Sequence, residues 1–203
     1  MDWKSHWESV YTAKEASDVS WFQEHPTRSL ELIRAVAPEN CRFIDIGGGA
    51  SVLVDHLLEL GFIAPTVLDL SGEALARARA RLGDRAGRVH WIEADVTTAT
   101  ELGEFEVWHD RAVFHFLTES GDRQKYVELA KRTVPLGGHV VIATFGLEGP
   151  PRCSGLDVCR YDAFSLAREF GAGFSLVRSA DEMHRTPWGS TQVFTYAVFR
   201  RQR

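Results

Sequence analysis

From Arg42 onward, short β-branched runs alternate with amphipathic stretches, the pattern of parallel strands joined by crossover helices. It predicts strands at Phe43 to Ile46, Thr66 to Leu70, Val89 to Glu93, Phe105 to His109 and His139 to Phe145. The stretches between them carry helix punctuation. Ser51 to Leu60 places Leu53, Leu57, Leu58 and Leu60 ahead of Gly61, a residue suited to a left-handed helix end. Ser71 opens the next helix and Gly83 ends it, Pro135 stops one that begins near Arg123, and Asp162 caps one running to Phe170. Two last runs, Phe174 to Val177 and Val193 to Phe199, flank a polar stretch with Pro187 and Gly189 and predict an antiparallel hairpin at the sheet edge. The expected fold class is therefore α/β: a doubly wound, mostly parallel seven-stranded sheet with an antiparallel C-terminal hairpin.

Ahead of the sheet lie Trp3, Trp7, Tyr11, Trp21 and Phe22, then Pro26 and an amphipathic stretch with Leu30, Leu32, Ile33 and Val36 that closes before Pro38. Two readings stay open for this aromatic leader: a helix packed on the sheet, or a lid of flat side chains over a ligand cleft. With no repeat and no Gly/Ser or Pro-rich linker, residues 1–203 read as one domain, with 1–38 as its helical extension.

A hydrophobic share of 44% and a charged share of 25% fit a globular chain of 203 residues that buries its own core. A net charge of -5 without a dense Lys/Arg tract argues against nucleic acid as the partner. No run of about 18 apolar residues and no signal-like start is present, so no membrane partner and a cytoplasmic location are expected. Three cysteines, Cys41, Cys153 and Cys159, form no even framework, which favours reduced thiols. No metal is expected, because Cys153, Cys159 and His184 lack ligand spacing. Oligomeric state is not written in the sequence.

Open α/β sheets bind ligands beyond the carboxyl ends of their strands. The first strand runs into Asp45-Ile46-Gly47-Gly48-Gly49-Ala50-Ser51, where glycines let the backbone bend tightly and approach a ligand. A dinucleotide fingerprint would need a small residue where this chain has Val52, and Asp45 would repel a pyrophosphate while attracting an ammonium. These two residues disfavour a nicotinamide oxidoreductase. The second strand ends at Asp69 and Leu70, placing a carboxylate where it can accept from ribose hydroxyls. The third leads to Asp95 and Val96, which suit an adenine amino group and its ring face. Each acid also has a structural alternative, in a turn or a helix cap.

In that order, Phe-Ile-Asp-Ile-Gly-Gly-Gly-Ala-Ser, Val-Leu-Asp-Leu-Ser, Trp-Ile-Glu-Ala-Asp-Val and Leu-Gly-Gly-His-Val-Val-Ile resemble the class I S-adenosylmethionine-dependent methyltransferases, over about Arg42 to Phe145. The resemblance implies a Rossmann-like fold, methyl transfer and S-adenosylmethionine as cofactor. It implies Gly47 and Gly49, with Gly48 and Ser51 beside them, at the methionine part, Asp69 on the ribose, and Asp95 with Val96 at the adenine. Ser51 stands where many members have a third glycine. Trp21 is added to this set from the leader.

The acceptor side is expected where the fourth strand leads into Trp108-His109-Asp110-Arg111-Ala112-Val113-Phe114-His115. Asp110 can contact the cofactor's amino group. Arg111 either pairs with Asp110 or holds an anionic acceptor, and His115 is either a base or a buried imidazole. Trp7, Tyr11, Phe22, Phe145, Arg160 and Tyr161 complete the expected acceptor pocket. The leader resembles that of thiopurine S-methyltransferase-like enzymes, and similar Trp and Tyr spacing occurs in a branch of protein lysine methyltransferases. The strand lacks the Asn-Pro-Pro-Tyr or Asp-Pro-Pro-Tyr ending of enzymes that methylate adenine or glutamine amino groups. The expected function is methylation of a small molecule, a thiol or other soft nucleophile preferred, with protein lysine methylation or cofactor binding without turnover as alternatives.

Overall fold

The structure, a computed structural model, describes residues 2–38 and 40–202. Five parallel strands form its body: β1 (Phe43–Ile46), β2 (Thr66–Asp69), β3 (His90–Glu93), β4 (Val107–Arg111) and β5 (His139–Phe145). A small hairpin, β6 (Arg152–Cys153) and β7 (Leu156–Asp157), follows them, and the chain closes with the long hairpin β8 (Phe174–Arg185) and β9 (Thr191–Arg201). The seven-stranded sheet has the order β3-β2-β1-β4-β5-β9-β8, with β9 antiparallel to β5 and β8 antiparallel to β9. Strand order therefore reverses between β1 and β4, where such sheets open a crevice.

Strand residues alternate between two apolar layers. On one face Ile44, Trp108, Val140, Ile142 and Phe199 pack against α5 (Ser120–Thr133) and α6 (Ala163–Phe170). Phe170 and Phe199 stack there at 4.6 Å, and truncating either fully buried ring to alanine should cost about 3–5 kcal/mol. On the other face Phe43, Val107, Val141, Phe145 and Phe194 meet α2 (Thr27–Val36) and α3 (Leu53–Glu59), while Val67 meets α3 and α4 (Gly72–Leu82). Ahead of these, α1 (Trp3–Ala13) lies across the strand ends.

The expected helix punctuation operates at several ends. Ser71 accepts from Ala74 N at 3.1 Å, and Asp162 forms a reciprocal capping box with Ser165. Ser51 takes Leu53 N at 3.1 Å, so the helix expected from Ser51 starts two residues later. The fourth strand is shifted from Phe105–His109 to Val107–Arg111, because Phe105 N is already engaged by Thr133 O at 3.0 Å. The closing strands run longer than expected: Arg178 to Arg185 is too polar to read as a strand but finds its ladder in β9.

Candidate active site

A cavity of about 260 Å³ opens beyond the carboxyl ends of β1 to β4. Its floor is the β1 turn. Gly47 adopts a φ of +66°, and a Cβ there would lie 2.1 Å from Val113 Cγ2. At Gly48 a Cβ would meet Asp45 Oδ2 at 2.4 Å, and at Gly49 it would meet Asp69 Oδ2 at 2.3 Å. The bend thus brings main chain, rather than side chains, against two carboxylates. Gly47, Gly48, Ala50, Ser51, Asp45, Asp69, Leu70, Asp95 and Val96 line the cavity, whereas Gly49 lies behind it.

The acids differ in setting. Asp69 is buried and its Oδ1 accepts from Ser71 N at 2.8 Å. Burial pushes its carboxyl up to about 7, against the opposing pull of these N–H donors. Asp95 is half-buried and accepts from Thr97 N and Thr97 Oγ1, each at 2.7 Å, so it holds its own turn while facing the cavity. Asp45 Oδ1 accepts from His109 Nδ1 at 2.6 Å, and Oδ2 turns toward Gly48.

The leader forms the roof. Trp3, Trp7 and Tyr11 of α1, with Trp21, Phe22 and Gln23 of the following segment, face the cavity. Trp7 is the hub: its ring lies 5.8 Å from Trp21, 6.2 Å from Tyr11 and 5.1 Å from Phe116. Edge contacts of this kind stabilise by about 0.5–1.5 kcal/mol each beyond burial.

Arg111 secures this roof. Its Nη1 donates to Trp21 O at 2.9 Å and its Nε to Tyr196 OH at 3.1 Å, with the guanidinium over the Phe194 ring at 4.2 Å. Its acidic partner is Glu182, at 3.7 Å, and not the expected Asp110. Asp110 is fully buried outside the cavity lining, where it accepts from Val113 N, Phe114 N and Tyr126 OH at 2.9, 3.1 and 2.6 Å. These bonds fix the turn after β4 and hold Asp110 apart from the cavity, away from the contact with a ligand's amino group expected of it.

Four other expected residues also stand apart from the cavity. His115 is buried between Phe116 and Phe145, and its Nδ1 accepts from Phe145 N at 3.2 Å. Burial, aided by the Arg111 charge, pulls its imidazole down to about 3, so it stays neutral. Phe145 belongs to the core beneath β9. Tyr161 packs on Phe114, and Arg160 donates to Leu147 O and Gly149 O. The loop carrying the last two folds along β5 rather than over the cleft, since Tyr161 N is held by Phe145 O at 2.9 Å.

In their place the structure brings Ser29, His109, Phe116 and Cys153 to the cavity. Nothing local in the sequence marks Ser29 or His109; they meet only because α2 crosses above β4. Cys153 arrives on the β6 to β7 hairpin, while Cys159 remains outside the lining. Among the described residues no cluster of His, Cys, Asp or Glu has metal-binding geometry.

The fit to a sulfonium nucleoside can be tested on these features: a bend whose Cβ positions are filled, carboxylates at the β1 and β2 ends, and an apolar Leu70 and Val96 pair beside Asp95. They fit. A family model described as "Methyltransferase domain" matches residues 43–138. Over that stretch the chain matches a methyltransferase domain, and its sheet has the fold of the class I S-adenosylmethionine-dependent methyltransferases. The features of the cavity are those that S-adenosylmethionine, as a cofactor, would require. Solved structures of this class superpose over nearly the whole length of the chain. The N-methyltransferase NodS from Bradyrhizobium japonicum, in complex with S-adenosylhomocysteine, is 16% identical with a TM-score of 0.73, covering 97% of this chain and 98% of that one. The 1,6-didemethyltoxoflavin-N1-methyltransferase of Burkholderia thailandensis is 19% identical, with a TM-score of 0.72 and coverage of 98% and 87%. A protein solved in work on the conversion of a disulfide bond into a thioacetal group during echinomycin biosynthesis is 20% identical, with a TM-score of 0.77 and coverage of 98% and 91%. At these identities the likeness is one of fold. No curated protein matches the chain in sequence. No helix among the described residues is long and apolar enough to cross a membrane.

Proposed function

We propose that this methyltransferase acts on a small molecule held beneath the aromatic roof, with a thiol or other soft nucleophile as the preferred acceptor. The observation that carries this reading is the enclosure itself: Trp3, Trp7 and Trp21 cover the same cavity whose floor is the Gly47 to Gly48 bend. Such a site excludes water and aligns a small nucleophile, which is most of what an in-line displacement requires. The extension formed by residues 1–38 and the sheet then act as one domain.

In this reading Asp45 faces the cofactor's ammonium, with Gly47, Gly48 and Ser51 along the methionine part. Asp69 accepts from the ribose hydroxyls, and Leu70, Asp95 and Val96 border the adenine. Trp21 closes the site from above. The cofactor supplies a methyl group on a positively charged sulfur. Arg111 also lines the cavity, and in this reading it acts on the roof by holding the Trp21 carbonyl.

The soft-nucleophile preference rests on the walls. Phe116, Phe22 and the buried Cys153 present polarizable surface, and a thiol ionises near neutrality without a metal. The structural neighbour from echinomycin biosynthesis, whose described reaction concerns sulfur, lends support. The deciding experiment is an acceptor screen with methyl-labelled S-adenosylmethionine over thiols, halide-like anions, amines and cell-lysate protein. Label entering small thiols is the expected result. Label entering only protein would refute the small-molecule assignment.

A further inference from the structure

Asp45 and His109 are register partners on adjacent parallel strands, so their side chains leave the same face of the sheet side by side. His109 Nδ1 lies 2.6 Å from Asp45 Oδ1, and its Nε2 lies 2.9 Å from Ser29 Oγ on α2. The three residues are almost wholly buried, and all three line the cavity. An ionised carboxylate can only accept, so Nδ1 carries the hydrogen and Nε2 of the neutral ring offers its lone pair to the Ser29 hydroxyl. In the protonated ring, Nε2–H donates to that same oxygen. One set of neighbours thus satisfies both states of the imidazole, with the Phe43 ring stacked at 6.3 Å. Burying three polar side chains is costly unless each is paired, and an apolar trio would pack the same space without that demand.

We propose that His109 takes up the proton an acceptor loses on methylation, with the Ser29 hydroxyl as relay at the cavity wall and Asp45 as the positioning residue. The inference rests on the small-molecule reading above. The acceptor's hydrogen passes to Ser29 Oγ as the hydrogen of that hydroxyl passes to His109 Nε2. The lone pair freed on the acceptor forms the bond to the methyl carbon. The electron pair of the breaking methyl–sulfur bond stays on sulfur, leaving a neutral thioether, and the imidazolium is held by the Asp45 carboxylate.

The charged surroundings come from each element packed here. Asp45 on β1 favours the positive ring. Beyond Ser29, Tyr196 OH on β9 lies 3.4 Å from Ser29 Oγ and 3.3 Å from Glu182 Oε2 on β8, and it receives Arg111 Nε of β4. This line of hydroxyls gives the proton a path from the relay toward the closing hairpin.

The test uses the full chain with nitrogen-15-labelled histidine. At neutral pH one ring should be protonated at Nδ1 and bare at Nε2, with a far-downfield Nδ1–H signal that His109→Asn removes. The asparagine amide can take the place of Nδ1 against Asp45, so S-adenosylhomocysteine affinity should stay within about threefold while kcat/KM falls about 100-fold or more and loses its acid limb. Ser29→Ala should lower kcat by about tenfold or more with little change in KM. A His109→Asn enzyme with the parent kcat and pH profile would overturn the proposal, as would a ring protonated at Nε2 in the parent protein. The tautomer is read without any acceptor, so a failed acceptor screen and a failed proton relay are distinguishable results.

Discussion

The Glu8 carboxylate of α1 closes the amino end of α4, its Oε1 accepting from Gly72 N at 2.8 Å and its Oε2 from Glu73 N at 3.2 Å. Two helix-terminal N–H groups that would otherwise need water are thereby held by the roof, and a negative charge meets the positive end of the α4 dipole. Glu8→Ala should cost about 1 kcal/mol of stability. Hydrogen exchange should show the α1 amides opening sooner than those of β1, and calorimetry should show weaker S-adenosylhomocysteine binding. Unchanged exchange in α1 would mean that the roof is held by its aromatic contacts alone.

Asp69 predicts opposite effects on stability and on binding. Its folded carboxyl titrates at about 7, above the ordinary aspartate value, so its favourable contribution is complete below about pH 4 and is lost as pH rises through 7. Asp69→Asn should therefore flatten this part of the stability profile and leave the ligand-free protein no less stable at pH 8. Binding should move the other way. In the proposed role, the ionised carboxylate accepts from two hydroxyls, so S-adenosylhomocysteine affinity should rise through pH 7 in the parent protein. It should drop about tenfold or more in the variant, as expected for roughly 1.5–3 kcal/mol. Calorimetry across pH 5.5 to 8.5, as a roughly three-unit series about the pKa, checks both signs.

For His115 the sign is reversed. Its folded imidazole is depressed to about 3, so the stability it contributes is present above the ordinary histidine value of about 6.5 and drains away as pH falls toward 3. His115→Asn keeps an acceptor for Phe145 N–H and should show a shallower loss of thermal stability between pH 6 and 4, roughly the window set by those values. Its kcat should stay close to that of the parent, because the ring does not reach the cavity.

Cys153 offers a direct readout of the roof. Burial raises its thiol to about 11, so at pH 8 it is both covered and protonated. Alkylation followed by peptide mass spectrometry should label Cys153 slowly in the parent protein. Labelling should be about fivefold faster in Glu8→Ala, where the expected cost of about 1 kcal/mol raises the open population by that factor. S-adenosylhomocysteine should slow it in both.

The layout of the sheet was legible because its signals are local: a period-two run, a glycine bend and capping residues at Ser71 and Asp162 each act within a few positions. The acids that line the cavity shared that advantage, since Asp45, Asp69 and Asp95 each lie within two residues of a strand's carboxyl end. The acceptor side did not. Asp110, Arg111 and His115 are consecutive or nearly so, yet the alternation along β4 sends Asp110 into the layer of Trp108 and Tyr126, and the turn after it sets His115 against Phe145. Ser29 and His109 lie eighty positions apart and carry no shared motif. Charged residues in Arg178 to Arg185 hid the outer half of β8 for a related reason, because its ladder partner is β9 rather than the core.

That outer half reaches past the sheet. Phe145 ends its pairing opposite Phe194, but Met183, His184 and Arg185 go on pairing with β9, and there Glu182 accepts from Gln23 Nε2 at 3.1 Å while His184 Nε2 donates to Ser20 O at 2.7 Å. The ribbon is a strut under the canopy, holding the segment on either side of Trp21 and so bearing on how far that ring stands from the floor. Each residue pair trimmed from the tip would retract the strut by about 3.4 Å. Homologues with shorter or longer ribbons would then accommodate slimmer or bulkier guests without any change to the strand ends proposed to hold the nucleoside, giving evolution a dial for selectivity that leaves the chemistry untouched.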